Sequence, residues 1–581
     1  MRFARIVLGL VLTLAGLLAT VPGAVAAFWL VGPDNTVDTG EQRLTSKGLA
    51  VMTAPDLLDR HGPTLHVTAS SAKPVFIGIG PDLDVSSYLG SSQYTRVVRL
   101  NLPPKFDTQE LNGGLTPLTP PAGLDWWTVE ASGAGKQSIS WPIADGSYDV
   151  VAMNADGTPN AEIGLTLGVE LAGLFGTCLL ILGAGVVLLA IGLLLMFYRR
   201  RPPPPVPLPA VAVVKPLPEY EFAQCGPVQD APAQDPAPHQ TPVDREPAYQ
   251  SPSYKGPVRR VAGGAALLLM TTGCVAMPVK NTSAPITSRP AVTVADGQAV
   301  VTRYNDLNNK ANQTRDPKIS ATIEGEPTLT MTRAGYQISR KTDPAGQHLS
   351  KPFSYLAPKI GAPQFTSYPM RFVVDSGVSD DPNSRQLGVW QRQSAGTPWL
   401  LTQSVYPSTT MQLPSMEGLR MPAKSDIDKL SSLPQSAAAT LAVYLTGGTR
   451  STKAGLFTPS PGLVNLLNQR VKDATADIAK PYIASVIDTF RPTGEPVTFI
   501  TSAGEGLVFL SLTEQYLQRI EPGSNAYWTT GDVTAFSSMV KYTQTLHRDY
   551  LQQVALVIPL KGQGKIRILS VDGQLVDAGG S

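Results

Sequence analysis

Apolar residues fall along this chain in two patterns, long unbroken runs and short alternating stretches, and the switches between them divide it. Leu171 to Tyr198 carries no charged residue across 28 positions. At 1.5 Å per residue such a helix reaches roughly 42 Å, against a hydrocarbon core of about 30 Å, so it spans a bilayer with tilt. Glu170 bounds it on one side and Arg199-Arg200-Arg201 on the other. Cytoplasmic flanks carry the excess of Lys and Arg, so the segment 171–198 is expected to run from outside to inside. A second run, Ile6 to Val21, follows Arg2 and Arg5 and leads through Pro22-Gly23 to Ala24-Val25-Ala26. Residues 1–31 read equally as a cleaved signal peptide and as a retained first membrane helix ending in Phe28-Trp29-Leu30-Val31. Both readings send the following segment outward.

Residues 32–168 show the alternating pattern. Runs such as Leu49–Met52, Leu65–Val67, Val75–Ile79, Val97–Leu100, Trp126–Val129, Ser138–Trp141, Tyr148–Met153 and Ile163–Leu167 are separated by Gly, Pro and Asp turns. Seven or eight such strands predict an all-β sandwich. Beyond the membrane segment, 199–258 is about one quarter Pro with few large apolar residues. It is expected to form a cytoplasmic linker with extended polyproline stretches.

A third apolar run, Val261 to Met277, follows Arg259-Arg260 and contains Cys274. Its seventeen residues are at the short end for a span. The region 259–277 therefore reads either as a membrane helix or as a lipoprotein signal with Cys274 as its lipidation site. Thr271-Thr272-Gly273-Cys274 resembles a bacterial lipobox, although such signals normally stand at an N-terminus.

The rest predicts α+β structure. Val300, Tyr304, Leu307 and Ala311 follow a helical stripe after Asp296, and strand-like runs follow at 370–374, 387–390 and 399–405. Helical stretches at 437–445 and 462–479 precede strands at 497–500, 507–512, 554–558 and 566–571. Two units result, 292–415 and 436–581. Each is expected to wrap a curved antiparallel sheet around a helix, in the manner of cystatin-like or NTF2-like folds.

Composition changes this picture little. A net charge of +2 gives no electrostatic case for nucleic acid. Cys178, Cys225 and Cys274 all lie in apolar or linker segments, which leaves no disulfide framework and no thiolate metal site.

Two stretches are similar to known families. Val75 to Pro81, with Trp141 to Gly157, resembles actinobacterial membrane proteins of unknown function. Arg303-Tyr304-Asn305, Lys351 to Tyr355 and Tyr368 to Phe372 resemble an uncharacterised actinobacterial family of secreted or lipid-anchored proteins. The resemblance implies two extracytoplasmic modules joined around a membrane hairpin. It carries over no activity and no site residue.

The search for chemistry is short. His61, His66, His239, His348 and His547 are scattered, and no metalloprotease, nucleophile-elbow or phosphate-loop motif occurs. Gly78-Ile79-Gly80 reads as strand end. Asp375, Asp380, Asp381 and Asn383 offer oxygens between two strands, where a solvated hairpin loop is the simpler reading. Tyr355, Tyr368, Trp390 and Trp399 are candidates for the mouth of a ligand cavity, against the reading that they pack as ordinary core. No catalytic, cofactor or metal residue is expected. The expected function is a plasma-membrane protein that presents both globular regions outside and binds an envelope protein or ligand. The alternative is a carrier or enzyme for an apolar envelope molecule held in a C-terminal cone, where a carboxylate would act as acid or base.

Overall fold

The computed structural model describes residues 2–54, 60–61, 63–101, 105–197, 279–280, 288–537 and 541–581. It divides into two compact units. One holds the two long apolar helices, and the other holds Leu30–Ala172 together with Ala276–Ser581.

In the first unit, Phe3–Val31 and Leu174–Phe197 are each long and apolar enough to cross a membrane. They pack antiparallel along a seam of glycines spaced by seven, Gly9, Gly16 and Gly23 on one helix and Gly185 and Gly192 on the other. A Cβ on Gly16 would lie 2.5 Å from the Leu189 nitrogen, and one on Gly192 would lie 2.6 Å from that of Thr13. The backbones therefore touch, as small residues allow where lipid gives no hydrophobic drive to association. Thr13 Oγ1 donates back to the Gly9 carbonyl at 2.8 Å, so the seam leaves this hydroxyl satisfied.

The second unit opens with two facing sheets. Strands 36–38, 161–170, 64–70 and 137–142 form one, with 42–46 also paired to 161–170. Strands 105–111, 94–101, 50–53, 148–154, 75–81 and 129–133 form the other. Alternate residues of both sheets (Leu65, Val67 and Ile163 from one, Ile77, Ile79 and Val150 from the other) meet in a single core. That is the outcome the period-two pattern dictates.

Two local readings need correction. Asp82–Leu89 is a helix. Pro81 stands at its N-cap and Asp82 and Asp84 occupy its first turn, where carboxylates complement the helix dipole. Trp126 and Trp127 precede their strand instead of lying in it, and their ring centres lie 4.0 Å apart in a tilted pair. Gly78 and Gly80 form the floor beneath them, since a Cβ on either would come within 2.8 Å of an indole.

In the C-terminal region, Val294–Thr314 starts at Thr293, whose hydroxyl accepts from the Asp296 nitrogen. This helix lies against the antiparallel strands 355–361, 370–378, 381–392 and 400–405. A second sheet orders 457–458, 566–580, 545–558, 506–520 and 483–500. Val508, Leu510 and Leu512 pack toward the helices Pro434–Gly447 and Pro461–Ile478. Leu507 and Phe509, on the opposite face, pack against Val373, Leu387 and Val389 of the first sheet. Burial on both faces explains the unbroken apolar run 507–510, and it joins the two expected units through one shared core.

The sandwich and the C-terminal region meet across a polar junction. Arg289 Nη2 donates to Asp84 Oδ1 at 2.5 Å and to the Tyr368 hydroxyl at 3.0 Å. Tyr368 in turn donates to Asp84 Oδ1 at 2.8 Å. Beside this, Arg392 Nη1 donates to Asp125 Oδ1 at 2.6 Å, and Trp126 Nε1 donates to the Ala395 carbonyl at 3.1 Å. Burial opposes the charge on Arg289, but the Asp84 carboxylate outweighs it and raises the guanidinium pKa.

Candidate functional site

Three of the four aromatic candidates belong to one packed block. Trp390 is wholly buried, and Tyr355 and Trp399 nearly so. Phe372 stacks on Trp390 at 5.6 Å and meets Trp399 edge-on at 4.9 Å. Tyr304 of the capped helix stacks on Tyr355 at 5.5 Å. These rings occupy the space between helix and sheet where a cone-shaped cavity would open. Tyr368 packs at the edge of this block and carries its hydroxyl to the junction with the sandwich. Asp375 is taken by Arg385, whose Nε donates to Asp375 Oδ1 at 2.7 Å, while Asp381 accepts from the Asn383 nitrogen within its turn. Cys274 lies outside the described residues.

From the aromatic block a chain of polar groups leads outward. Tyr304 donates to Glu324 Oε1 at 2.9 Å, and the hydroxyls of Tyr355 and Tyr406 lie 2.9 Å apart. Burial pushes the Glu324 carboxyl up to about 7, with Thr332 and Tyr304 pulling the other way. Burial also holds the Tyr304 and Tyr355 hydroxyls well above the usual phenol range.

Tyr406 and Thr332 open onto a cavity of about 440 Å³ between the two C-terminal sheets. Its wall is the helix Thr328–Thr342, absent from the sequence reading, with Met331, Gly335 and Ser339 facing the space. Arg315 ends the preceding helix in the left-handed region at φ 51° and donates to the carbonyls of Ser339 and Asp343. Opposite, Asp572 Oδ2 accepts from the Tyr406 nitrogen at 3.0 Å and from Ser570 Oγ at 2.6 Å, and burial raises its pKa. Gln553 closes the floor, accepting from the Ser404 nitrogen at 2.7 Å and donating to Thr328 Oγ1 at 2.9 Å. The pocket thus presents amides, hydroxyls, one cation and one carboxyl, a lining suited to a hydroxyl-rich ligand of little net charge.

The second sheet carries a buried charged layer beneath Pro461–Ile478. Arg470 pairs with Glu514 and lies 4.3 Å from the Tyr550 ring centre. Gln552 Nε2 donates to Glu514 Oε2 at 2.6 Å. Arg548 and Tyr516 both donate to Asp477 Oδ2 at 2.9 Å. Burial, then repulsion from Glu514, pushes Asp488 up to about 7. Ion pairs and hydrogen bonds tie Arg470 to Glu514 and Arg548 to Asp477, so the layer fixes the helix on the sheet.

Residues 288–580 match the family described as a domain of unknown function (DUF8094), and the chain belongs to that family. The match begins at Ser288, next to the junction residue Arg289, and ends with the last strand, so it covers both C-terminal sheets and the cavity between them. No curated protein matches the chain.

Proposed function

We propose that the chain is a membrane-anchored extracytoplasmic binding or scaffold protein of the cell envelope, without catalytic activity. Its curved C-terminal sheets, of the cystatin or NTF2 kind, would present the polar cavity to a neutral envelope saccharide. The observation that supports this is the contrast between the two interiors. The aromatic block fills the helix–sheet space, whereas the cavity beside Tyr406 is open and polar. A carrier or enzyme for an apolar molecule needs an empty apolar cone, and Phe372, Trp390 and Trp399 occupy that volume. Glu324, the carboxyl with the perturbed pKa, sits behind Thr332 and outside the cavity lining.

The junction supports the topology. Asp84 and Arg289 pair the sandwich with the C-terminal region, which supports putting both on one side of a bilayer. If Leu174–Phe197 crosses, the chain must return before residue 288, and 261–277 is the apolar stretch able to carry it back. The positive-inside bias makes the shared side the outer one.

Saccharide binding is tested by saturation-transfer NMR of the detergent-solubilised chain with oligosaccharides released from the envelope. Met331→Trp, which plugs the opening, is expected to weaken binding at least tenfold. Absence of binding, or binding unchanged by the plug, overturns the reading.

A further inference from the structure

The geometry points to a divalent transition-metal site, of the zinc class, formed by His547, Asp549 and Asp577 on the last two strands. The strand Thr545–Ile558 presents His547 and Asp549 on one face, because strand side chains alternate. In the antiparallel register Asp549 stands opposite Asp577, and His547 stands opposite Gly579. One ligand atom from each of the three residues lies within 4.8 Å of the others. His547 Nε2 is 3.7 Å from Asp577 Oδ2.

Two features ask for a cation here. Like charges directly opposed on neighbouring strands repel, and Asp549 faces Asp577 across the ladder. Asp549 Oδ1 is also buried without a hydrogen-bond partner, a costly state for a carboxylate oxygen. Arg548, next in sequence, points to the other face and is bound to Asp477. Gly579 supplies the room, since a Cβ there would lie 3.1 Å from His547 Cε1 and 3.5 Å from its Nε2.

One imidazole nitrogen and two carboxylates, with positions left for water, are a donor set that zinc accepts at about 2.0–2.2 Å. Ligands in such a shell stand about 3.3 Å apart. Asp577 is 62% exposed, so its side chain is free to swing inward and to leave an entry path from solvent. A bound ion would staple the final strand to its neighbour.

The test uses tag-free full-length protein in detergent, stripped of metal with a chelator. Cobalt(II) titration is expected to give one equivalent with a visible d–d band, displaced by Zn²⁺. Asp577→Asn and His547→Gln should each weaken binding at least tenfold while the circular dichroism stays unchanged. Absence of a stoichiometric cobalt signal, or equal affinity in Asp577→Asn, overturns the site. Should His547→Gln unfold, the exposed Asp577→Asn decides alone.

Discussion

Asp84 and Arg289 are 205 positions apart in sequence and 2.5 Å apart in space. Asp84 is fully buried, so its charge is stabilised by Arg289 and Tyr368 and not by water. Removing one partner of such a pair strands the other, at a cost of about 3–5 kcal/mol. Asp84→Ala should therefore lower the unfolding free energy by that order, and limited proteolysis should release the sandwich from the C-terminal region. The double variant Asp84→Leu with Arg289→Met should recover part of the loss. A denaturation midpoint unmoved by Asp84→Ala would show that the junction does not form.

The glycine seam distinguishes a retained first helix from a cleaved signal. Thr13 Oγ1 lies 3.9 Å from Met196 Sδ across the hairpin. A chain carrying Thr13→Cys and Met196→Cys, with Cys178→Ser, Cys225→Ser and Cys274→Ser to remove the native thiols, should cross-link on oxidation in membranes. Mass spectrometry should recover the linked peptide. Gly16→Leu should abolish the link, because the added side chain meets the Leu189 backbone. Loss of residues 1–26 from the mature chain would refute the seam as a native contact.

Glu324 makes stability depend on pH. Its carboxyl is raised from about 4.5 to about 7 in the folded chain, so the folded state holds a proton that the unfolded state releases. Stability from this group is complete below about pH 4.5 and falls as pH rises toward 7. The loss is on the order of 3 kcal/mol. Glu324→Gln keeps an acceptor for Tyr304 and removes the ionisation. Its urea midpoint should therefore lose less than the wild type's between pH 5 and pH 8. Parallel curves for the two proteins would count against the buried carboxylic acid.

Topology and processing are tested on intact spheroplasts. Added protease should degrade 32–168 and 280–581 and spare the linker 199–258. A protected C-terminal region would mean that 261–277 does not cross. An immunoblot detecting the C-terminus is expected to show the whole 61.7 kDa chain. A band near half that mass that shifts upward in Cys274→Ala would establish lipoprotein processing instead.

The charged layer under Pro461–Ile478 is expected to be structural. Arg470→Met leaves Glu514 buried without its partner and should cost about 3–5 kcal/mol. Binding at the cavity beside Tyr406 should stay within twofold of wild type, read by the same NMR titration. A large loss of binding at unchanged stability would instead assign the layer a role in the site.

Sequence alone determined what one-dimensional periodicity encodes. The unbroken run 171–198, the alternation at 64–70 and 148–154, and the stripe Val300, Tyr304, Leu307 and Ala311 each fix an element, because burial of one face imposes a period. The spacing of Gly9, Gly16 and Gly23 acquired its meaning only from the partner helix. The tertiary structure decided everything that depends on meetings between distant segments. Asp84 reads locally as a first-turn acid and becomes the anchor of Arg289 only when the two modules dock. Trp390 and Trp399 have the composition of a cavity mouth and become core because Phe372 and Tyr304 arrive from other elements. His547, Asp549 and Asp577 come together through a strand register that no local pattern states. Propensity and period act over a few residues, whereas a site is a contact between residues far apart in the chain, and its geometry exists only once the cores have closed around it.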